Sequence, residues 1–246
     1  MSTWSKLSYQ HDYLAIAQGD VNYYSSVQKF GANFDVSSNS DPESVWSAGG
    51  LYPWASLDAA ETLYIISTDT GDTDTILLEG LDANYLPLTE TVQMAGQTAV
   101  ATVNQFKRIY RMEYNHGTIN AGTVTARTVS GTGVVVAQVD PTLAQTLMAV
   151  YTVPAGFTGY LLNLDFSVNK GKDAQCRLYA REFSRSFRIK HLTEVYESSY
   201  RYDFTVPLHL PEKTDIDIIA YQVESANTRV SCNFDLILVD NARPNH

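Results

Sequence analysis

The chain has 246 residues, of which 44% are hydrophobic and 18% are charged, with 27 acidic residues against 17 lysines and arginines. A hydrophobic fraction of this size excludes a disordered polyelectrolyte, and the length suffices for one large or two small β-domains with a buried core. The net charge of −10 is uneven, because residues 1–105 hold 13 acidic residues against Lys6 and Lys29. This asymmetry indicates one acidic part of the surface and argues against a nucleic-acid-binding protein.

No apolar stretch approaches the roughly 20 residues that a membrane span requires. The first residues, Met-Ser-Thr-Trp-Ser-Lys, lack the charged start and apolar stretch of a signal peptide. We therefore expect synthesis and folding in a cytoplasm, with no membrane partner. Cys176 and Cys232 are the two cysteines, and neither has the spacing of a metal ligand pair. We expect both to be buried and reduced, although a disulfide between them stays open.

Residues 1–45 are predicted to form an N-terminal arm. Short strands fit residues 12–18 and 21–34, but the sequence SSNSDP at 37–42 interrupts any continuation. The arm and the segment that follows it are rich in aromatic residues, which dominate many interfaces, so we expect the principal contact with a partner subunit here. The alternative is that these aromatic side chains fold back as a lid on the first sandwich. The residues assigned to the contact are Trp4, Tyr23, Tyr24, Trp46, Tyr52 and Trp54.

From residue 61 onward the side-chain pattern has a period of two. Strands are predicted over 63–68, 75–79, 86–94, 98–103, 106–114, 122–128 and 133–139. Seven short strands at this spacing, with no helical period between them, are typical of an antiparallel sandwich or barrel. Residues 46–140 are therefore predicted to form a first β-sandwich unit.

The dipeptide Asp140-Pro141 is the best candidate for a boundary, and residues 141–246 are predicted to form a second β-sandwich unit. Strands are predicted over 146–153, 159–168, 174–183, 187–192, 200–206, 215–223 and 228–239. The turn Pro-Ala-Gly at 154–156 separates the first two, since proline fixes φ and glycine accepts a tight reversal. The predicted fold class is all-β, an antiparallel, jelly-roll-like β-sandwich in one or two units, with an N-terminal arm.

The residues that could support enzymatic chemistry do not fall into a known pattern. Asp69, Asp72 and Asp74 lie close together, but their spacing does not match a calcium-binding loop. The five histidines are isolated, and neither a nucleophile elbow nor a phosphate-binding glycine loop occurs. We therefore expect no enzyme, no metal and no cofactor. A glycosidase is the enzymatic alternative, because its two carboxylates cannot be located from spacing in a β-protein.

Arginine and aromatic residues alternate along one predicted strand. With a period of two, one side of the strand carries Arg177, Tyr179, Arg181, Phe183 and Arg185. Because arginine suits interface ion pairs, we assign Arg177, Arg181 and Arg185 to binding the acidic surface of a partner. The alternative is a solvated strand face on which these arginines pair with Glu182, Glu194 or Glu197.

Three segments resemble structural proteins of tailed-bacteriophage particles. They are VWSAGGLYPW at 45–54, GLDANY at 80–85 leading through TETV to FKRIYRM at 106–112, and YTVPAGFTGYLL at 151–162. The resemblance implies a non-enzymatic component of a virus particle. Within that group we expect a head decoration or cement protein that binds the major capsid protein, or other virion proteins, and its own copies, as a trimer. The alternative is a carbohydrate- or receptor-binding module of a tail fibre or spike.

Overall fold

The computed structural model describes residues 8–37, 41–114, 119–221 and 227–244. In these ranges the chain is 59% strand and 5% helix, and all paired strands are antiparallel. The all-β prediction is therefore confirmed. None of the helices in the described ranges has the length and apolar character needed to cross a membrane.

The described part of the chain contains one α-helix near its start, and its other regular elements are strands and a single short 3₁₀ helix. The helices are α1, Ser8–Gln18, and a short 3₁₀ helix, Trp54–Leu57. The strands are β1 Tyr24–Val36, β2 Glu43–Ser44, β3 Glu61–Ser67, β4 Thr75–Leu81, β5 Pro87–Gln93, β6 Val100–Phe106, β7 Arg108–Tyr114, β8 Val124–Arg127, β9 Val135–Val139, β10 Val150–Thr152, β11 Phe157–Val168, β12 Asp173–Arg181, β13 Arg188–Tyr196, β14 Ser199–Leu210, β15 Asp215–Tyr221 and β16 Thr228–Asp240.

The first sandwich is built from two sheets in the first half of the chain. One sheet has the strand order β6-β3-β8-β9 and the other has the order β5-β4-β7. Alternate side chains of each sheet point into a shared core, in which Leu63 and Ile65 of β3 and Ile76 and Leu78 of β4 are fully buried. The alternation in the sequence therefore predicts the strands of these two sheets correctly.

The second sandwich is larger. One sheet has the order β1-β16-β11-β14, and the other has the order β10-β15-β12-β13, with β2 added beside β15. Phe166 of β11 and Phe234 of β16 are fully buried in its core, which Leu178 of β12 joins from the facing sheet. Cys176 and Cys232 lie in this core as free thiols, as expected, and burial raises the pKa of Cys176 to about 12.

The N-terminal segment differs from its prediction. Residues 8–18 form helix α1 where a short strand was expected, and β1 is a full strand of the second sandwich, paired with β16 from Tyr24 to Val36. The arm prediction for 1–45 is therefore wrong over this strand. The short strand expected over 21–34 corresponds to β1. Its core-facing positions include Lys29, Gly31 and Asn33, so its sequence lacks the apolar alternation that would assign it to a sandwich core.

Two hydrophobic clusters lie in the two sandwiches, and two short segments contribute to both. Val45 and Ala149 belong to the core of the second sandwich, and their neighbours Trp46 and Met148 belong to the core of the first. Successive side chains of an extended segment point to opposite sides, so each of these segments lies between the two cores. The boundaries at 45/46 and 140/141 stay a prediction.

Candidate binding surfaces

The aromatic residues of 46–54 lie inside the molecule. Trp46, Tyr52 and Trp54 are buried in consecutive edge-to-face contacts, with ring centroids 5.1 Å and 4.7 Å apart. The indole of Trp46 donates to the carbonyl of Gly50 at 2.9 Å, and the hydroxyl of Tyr52 donates to that of Ile109 at 3.2 Å. The assignment of these three residues to a partner contact is wrong, because their polar groups and ring faces are used within the chain.

A buried ion-pair network joins the two sandwiches. Arg108 of β7 makes a two-pronged contact with Asp215 of β15, with nitrogen–oxygen distances of 2.9 and 3.1 Å. Arg181 of β12 donates to the same carboxylate at 2.6 Å, and the hydroxyl of Thr152 donates to it at 2.6 Å. Two guanidinium groups therefore share one buried carboxylate, so this site carries excess positive charge.

A second buried carboxylate lies two residues further along the strand. Asp217 accepts hydrogen bonds from the indole of Trp54 at 2.8 Å and the hydroxyl of Ser44 at 3.1 Å, both through Oδ2. Its Oδ1 is buried without a hydrogen-bond partner. Burial raises the pKa of Asp217 to about 7, because the charged form loses its hydration.

A cavity of about 200 Å³ opens beside Arg108, Arg181 and Asp215. Tyr85, Phe183 and Lys213 also line it, and each comes from a different turn of the chain. The rings of Tyr85 and Phe183 meet edge to face at 5.9 Å, and the Lys213 ammonium lies 5.1 Å from the Phe183 ring centre. This junction cavity thus combines cationic and aromatic groups.

The alternating arginine strip forms only in part. Arg177, Tyr179 and Arg181 share the outer face of β12, but the strand ends at Arg181, before Arg185. The guanidinium of Arg177 stacks on the Tyr221 ring at 4.3 Å, and Arg181 is used by Asp215. Arg185 is largely exposed and lies 3.4 Å from Glu182. The predicted strip is therefore not continuous. Arg177 and Arg181 are engaged by other side chains on β12 and its neighbours, whereas Arg185 lies beyond the strand and presents most of its charge to solvent.

Two strands that are consecutive in the second sandwich have no further strand beside them among the described residues. β13 and β14 are each the last strand of their sheet, and they follow one another along the chain. The structure exposes sixteen large hydrophobic side chains among the residues it describes, and five of them lie on these two strands. We call these five side chains, which come from strands of the two facing sheets, the β13–β14 edge surface: Ile189, Leu192, Tyr196, Tyr202 and Val206.

The remaining predicted contact residues lie near the N-terminus. Trp4 lies outside the described residues. Tyr23 is exposed and has a φ of 70°, whereas Tyr24 is half-buried, and its hydroxyl accepts a hydrogen bond from Arg243. Tyr23 is therefore the one aromatic residue of this predicted group for which the structure describes an exposed side chain.

In the aspartate-rich turn at 69–74, the Asp72 carboxylate has a structural role. Asp72 accepts from the hydroxyl of Ser67 at 2.5 Å and from the backbone amides of Ala121 and Gly122 at 2.8 and 2.9 Å. Its carboxylate thereby holds the turn before β4 against the loop before β8. Across the described ranges, His, Cys, Asp and Glu side chains form no group of three or more that could hold a metal ion.

Sequence reasoning missed the junction cavity and the edge surface. The one available signal was in β15, where Asp215 and Asp217 occupy the face opposite the apolar Ile216 and Ile218. Alternating aspartates of this kind ordinarily indicate a solvated face, whereas this face is buried against Trp54 and Arg108. No spacing rule links residue 108 to residue 215, because their contact depends on how the two sandwiches meet.

No protein-family model and no curated protein matches the chain. Among solved structures, the chain is similar to the infectious bursal disease virus VP2 subviral particle, with a TM-score of 0.23 and 9% identity, over 91% of this chain and 73% of that chain. It is also similar to the infectious bursal disease virus Gt strain, with a TM-score of 0.21 and 9% identity, over 89% of this chain and 77% of that one. Both neighbours are viral, but a likeness at this TM-score carries no argument.

Proposed function

We propose that this chain is a non-enzymatic structural protein of a bacteriophage particle, a head decoration or cement protein that acts by binding other subunits. The β13–β14 edge surface is the observation that carries the proposal. The sequence resemblance of 45–54, 80–112 and 151–162 to phage virion proteins supplies the class of particle. The proposed location is the virion, after synthesis in the host cytoplasm.

The edge surface suits a protein partner for two physical reasons. An edge strand presents unpaired backbone donors and acceptors, which natural proteins usually cover or protect. Large apolar side chains on the same strands add area whose removal from water stabilises a complex, at about 25 cal/mol per Å² before the costs of association. Val206 is 80% exposed in the middle of the 12-residue strand β14, where a partner would cover it.

The partner proposed for this surface is a second copy of the chain. β13 carries Arg188 and Lys190 beside the apolar residues, whereas residues 1–105 hold 13 acidic residues against two lysines. The basic strand of one copy therefore complements the acidic first half of another, which favours association between unlike faces. The resulting homo-oligomer, proposed as a trimer, would then bind the major capsid protein.

The proposal is tested with two matched valine variants. Val206→Lys places a charge in the edge surface, and Val103→Lys places the same charge on β6 at a position that is 92% exposed. Both sites are open to solvent, so both variants should fold. We expect Val206→Lys to weaken self-association and particle binding at least about tenfold, because a buried ammonium costs more than 1.4 kcal/mol.

Light scattering after size exclusion and co-sedimentation with particles measure the two effects. Val103→Lys should behave as the unmodified protein in both assays. If Val206→Lys assembled as well as the unmodified protein, the proposal that the edge surface binds another subunit would be wrong. Glycan hydrolysis by the isolated protein would contradict the non-enzymatic part of the proposal.

A further inference from the structure

The junction cavity holds an unusual concentration of backbone strain. Tyr85, Ser184 and Lys213 all line it, and their φ angles are 64°, 60° and 61°. Residues other than glycine rarely adopt positive φ, and asparagine and aspartate tolerate it better than lysine or tyrosine do. Such conformations cluster at ligand-binding sites, where the surrounding structure holds them in place.

Hydrogen bonds within the chain fix each of the three turns. The backbone amide of Tyr85 donates to the carbonyl of Asp82 at 2.9 Å, and the Tyr85 carbonyl accepts from Ala155 at 2.9 Å. The amide of Arg185 donates to the carbonyl of Glu182 at 2.9 Å across the turn that contains Ser184, and the amide of Lys213 donates to the carbonyl of Val153 at 2.8 Å. The backbone that carries the side chains at the mouth of the cavity is therefore held in position before any ligand arrives.

The Lys213 side chain is not needed for the turn that it occupies. In the part of the chain that the structure describes, no carboxylate lies within 4.0 Å of its ammonium group, which packs instead near the rings of Phe183 and Tyr85. A glycine or asparagine would adopt the same backbone at a lower cost. A lysine in this position leaves one accessible positive charge at the mouth.

The charges around the cavity match a ligand with a single negative charge. Four cationic side chains line it against three carboxylates: Arg108, Arg181, Arg185 and Lys213, with Asp58, Glu182 and Asp215. The balance is +1 in a protein whose net charge is −10. A monoanion fits this balance better than a dianion does. The Asp215 carboxylate is occupied by Arg108, Arg181 and Thr152, which leaves Asp58 and Glu182 at the rim as acceptors for hydroxyl groups. A simple organic acid lacks such hydroxyl groups.

We infer that the junction cavity binds an acidic monosaccharide unit, a sugar ring with one carboxylate and several hydroxyls. Its carboxylate meets Lys213, its hydroxyls donate to the acidic residues of the rim, and its ring packs against Phe183, which is 56% exposed. The cavity of about 200 Å³ is smaller than the roughly 300–1,000 Å³ of sites for drug-sized ligands, which suits a single ring. This inference is independent of the proposed role in particle assembly.

Titration calorimetry or ligand-observed NMR with the full chain tests the inference, with glucuronate, glucose and acetate as probes. Glucuronate should bind at least about tenfold more tightly than glucose, which lacks the carboxylate, and than acetate, which lacks the hydroxyls. Equal binding of glucuronate and glucose would overturn the charge assignment. Equal binding of glucuronate and acetate would overturn the sugar assignment. A uronate oligosaccharide should bind as well as the free sugar.

Lys213→Asn is the informative variant, because asparagine accepts the positive φ and removes the charge. It should weaken glucuronate binding at least about tenfold while the Tm stays the same or rises. Lys170→Asn changes an exposed lysine in the turn between β11 and β12 and should leave both quantities unchanged. Phe183→Ala should also weaken binding. Undiminished glucuronate binding by Lys213→Asn would contradict the inference.

Discussion

At the scale of single residues, the contact between the sandwiches depends on buried charge. Asp215 is matched by two guanidinium groups, but Asp217 has only neutral donors on one oxygen and no hydrogen-bond partner on the other. A buried carboxylate in such a setting is stabilised by taking up a proton. The raised pKa of Asp217 therefore makes the stability of the junction depend on pH.

Asp217→Asn should reduce that dependence. The pKa of Asp217 is raised from 3.8 to about 7, so between about pH 4 and pH 7 the folded state holds a proton that the unfolded state has released. The free energy of unfolding of the unmodified protein should then fall as pH rises, by up to ~1.4 kcal/mol per pH unit from this group. The amide oxygen of asparagine can still accept hydrogen bonds from Trp54 and Ser44, so the variant should fold. Because asparagine does not titrate, the variant should lack this pH-dependent contribution.

Urea unfolding at several pH values between 5 and 8 measures the effect as a difference between the two proteins. The free energy of unfolding of the variant minus that of the unmodified protein should increase as pH rises towards 7. Above pH 7 this difference should stay constant. Asp203→Asn is the control, because its carboxylate is exposed beside Arg201 and should change the slope little. Parallel pH profiles for Asp217→Asn and the unmodified protein would show that Asp217 does not titrate in this range.

The sequence identified several important residues but not what they contact. Trp46, Tyr52 and Trp54 were assigned to a contact with a partner subunit, but they are buried against residues of their own chain. Composition and spacing cannot distinguish the two cases, because the same aromatic surface stabilises a core and an interface. The junction cavity escaped prediction for a related reason, since its residues come together only when three distant turns meet.

At the scale of elements, strands were predictable where one face is apolar. β16 places Val230, Cys232 and Phe234 on its core face, and that alternation was visible in the sequence. A short strand was expected over 21–34, where β1 lies, but its place in a sandwich was not predictable, because two of its core-facing positions are polar and have specific partners. The Lys29 ammonium donates to the carbonyl of Tyr110, and the Asn33 amide donates to Glu43 at 3.0 Å.

Gly31 is the position at which β1 is most tightly constrained. A Cβ atom there would lie 2.2 Å from the amide nitrogen of Ala149 and 2.4 Å from the carbonyl oxygen of Val45. Both are backbone atoms and cannot rotate away, so Gly31→Ala requires the strands to separate. We expect the variant to lose about 2 kcal/mol or more of unfolding free energy, measured by urea unfolding.

Ser25→Ala serves as the matched control for this strand. Ser25 is exposed on β1 and pairs with Leu238 of β16, so the change adds no atom to a buried contact. Its stability should stay within about 0.5 kcal/mol of the unmodified protein. If Gly31→Ala were as stable as Ser25→Ala, the close packing of β1 against the backbone of Val45 and Ala149 would be contradicted.

At the scale of the whole molecule, two sandwiches share a junction made by chain segments that contribute to both cores. In the described chain, β13 and β14 are the terminal strands of their sheets and carry exposed apolar side chains. We propose that these strands and the acidic first half of the chain serve to build an assembly, which is the central claim made for this protein. The β-rich class was predictable from alternation, whereas the position of these terminal strands depends on the strand order.

Quantitative mass spectrometry of purified phage particles tests that claim most directly. If the chain is the phage decoration protein that we propose, particles of that phage should contain many copies each, in a fixed ratio to the major capsid protein, as expected of a coat over the whole shell. Particles made with Val206→Lys in place of the unmodified chain should contain few or none, while Val103→Lys should be retained at the normal ratio. Absence of the unmodified protein from purified particles would contradict the account.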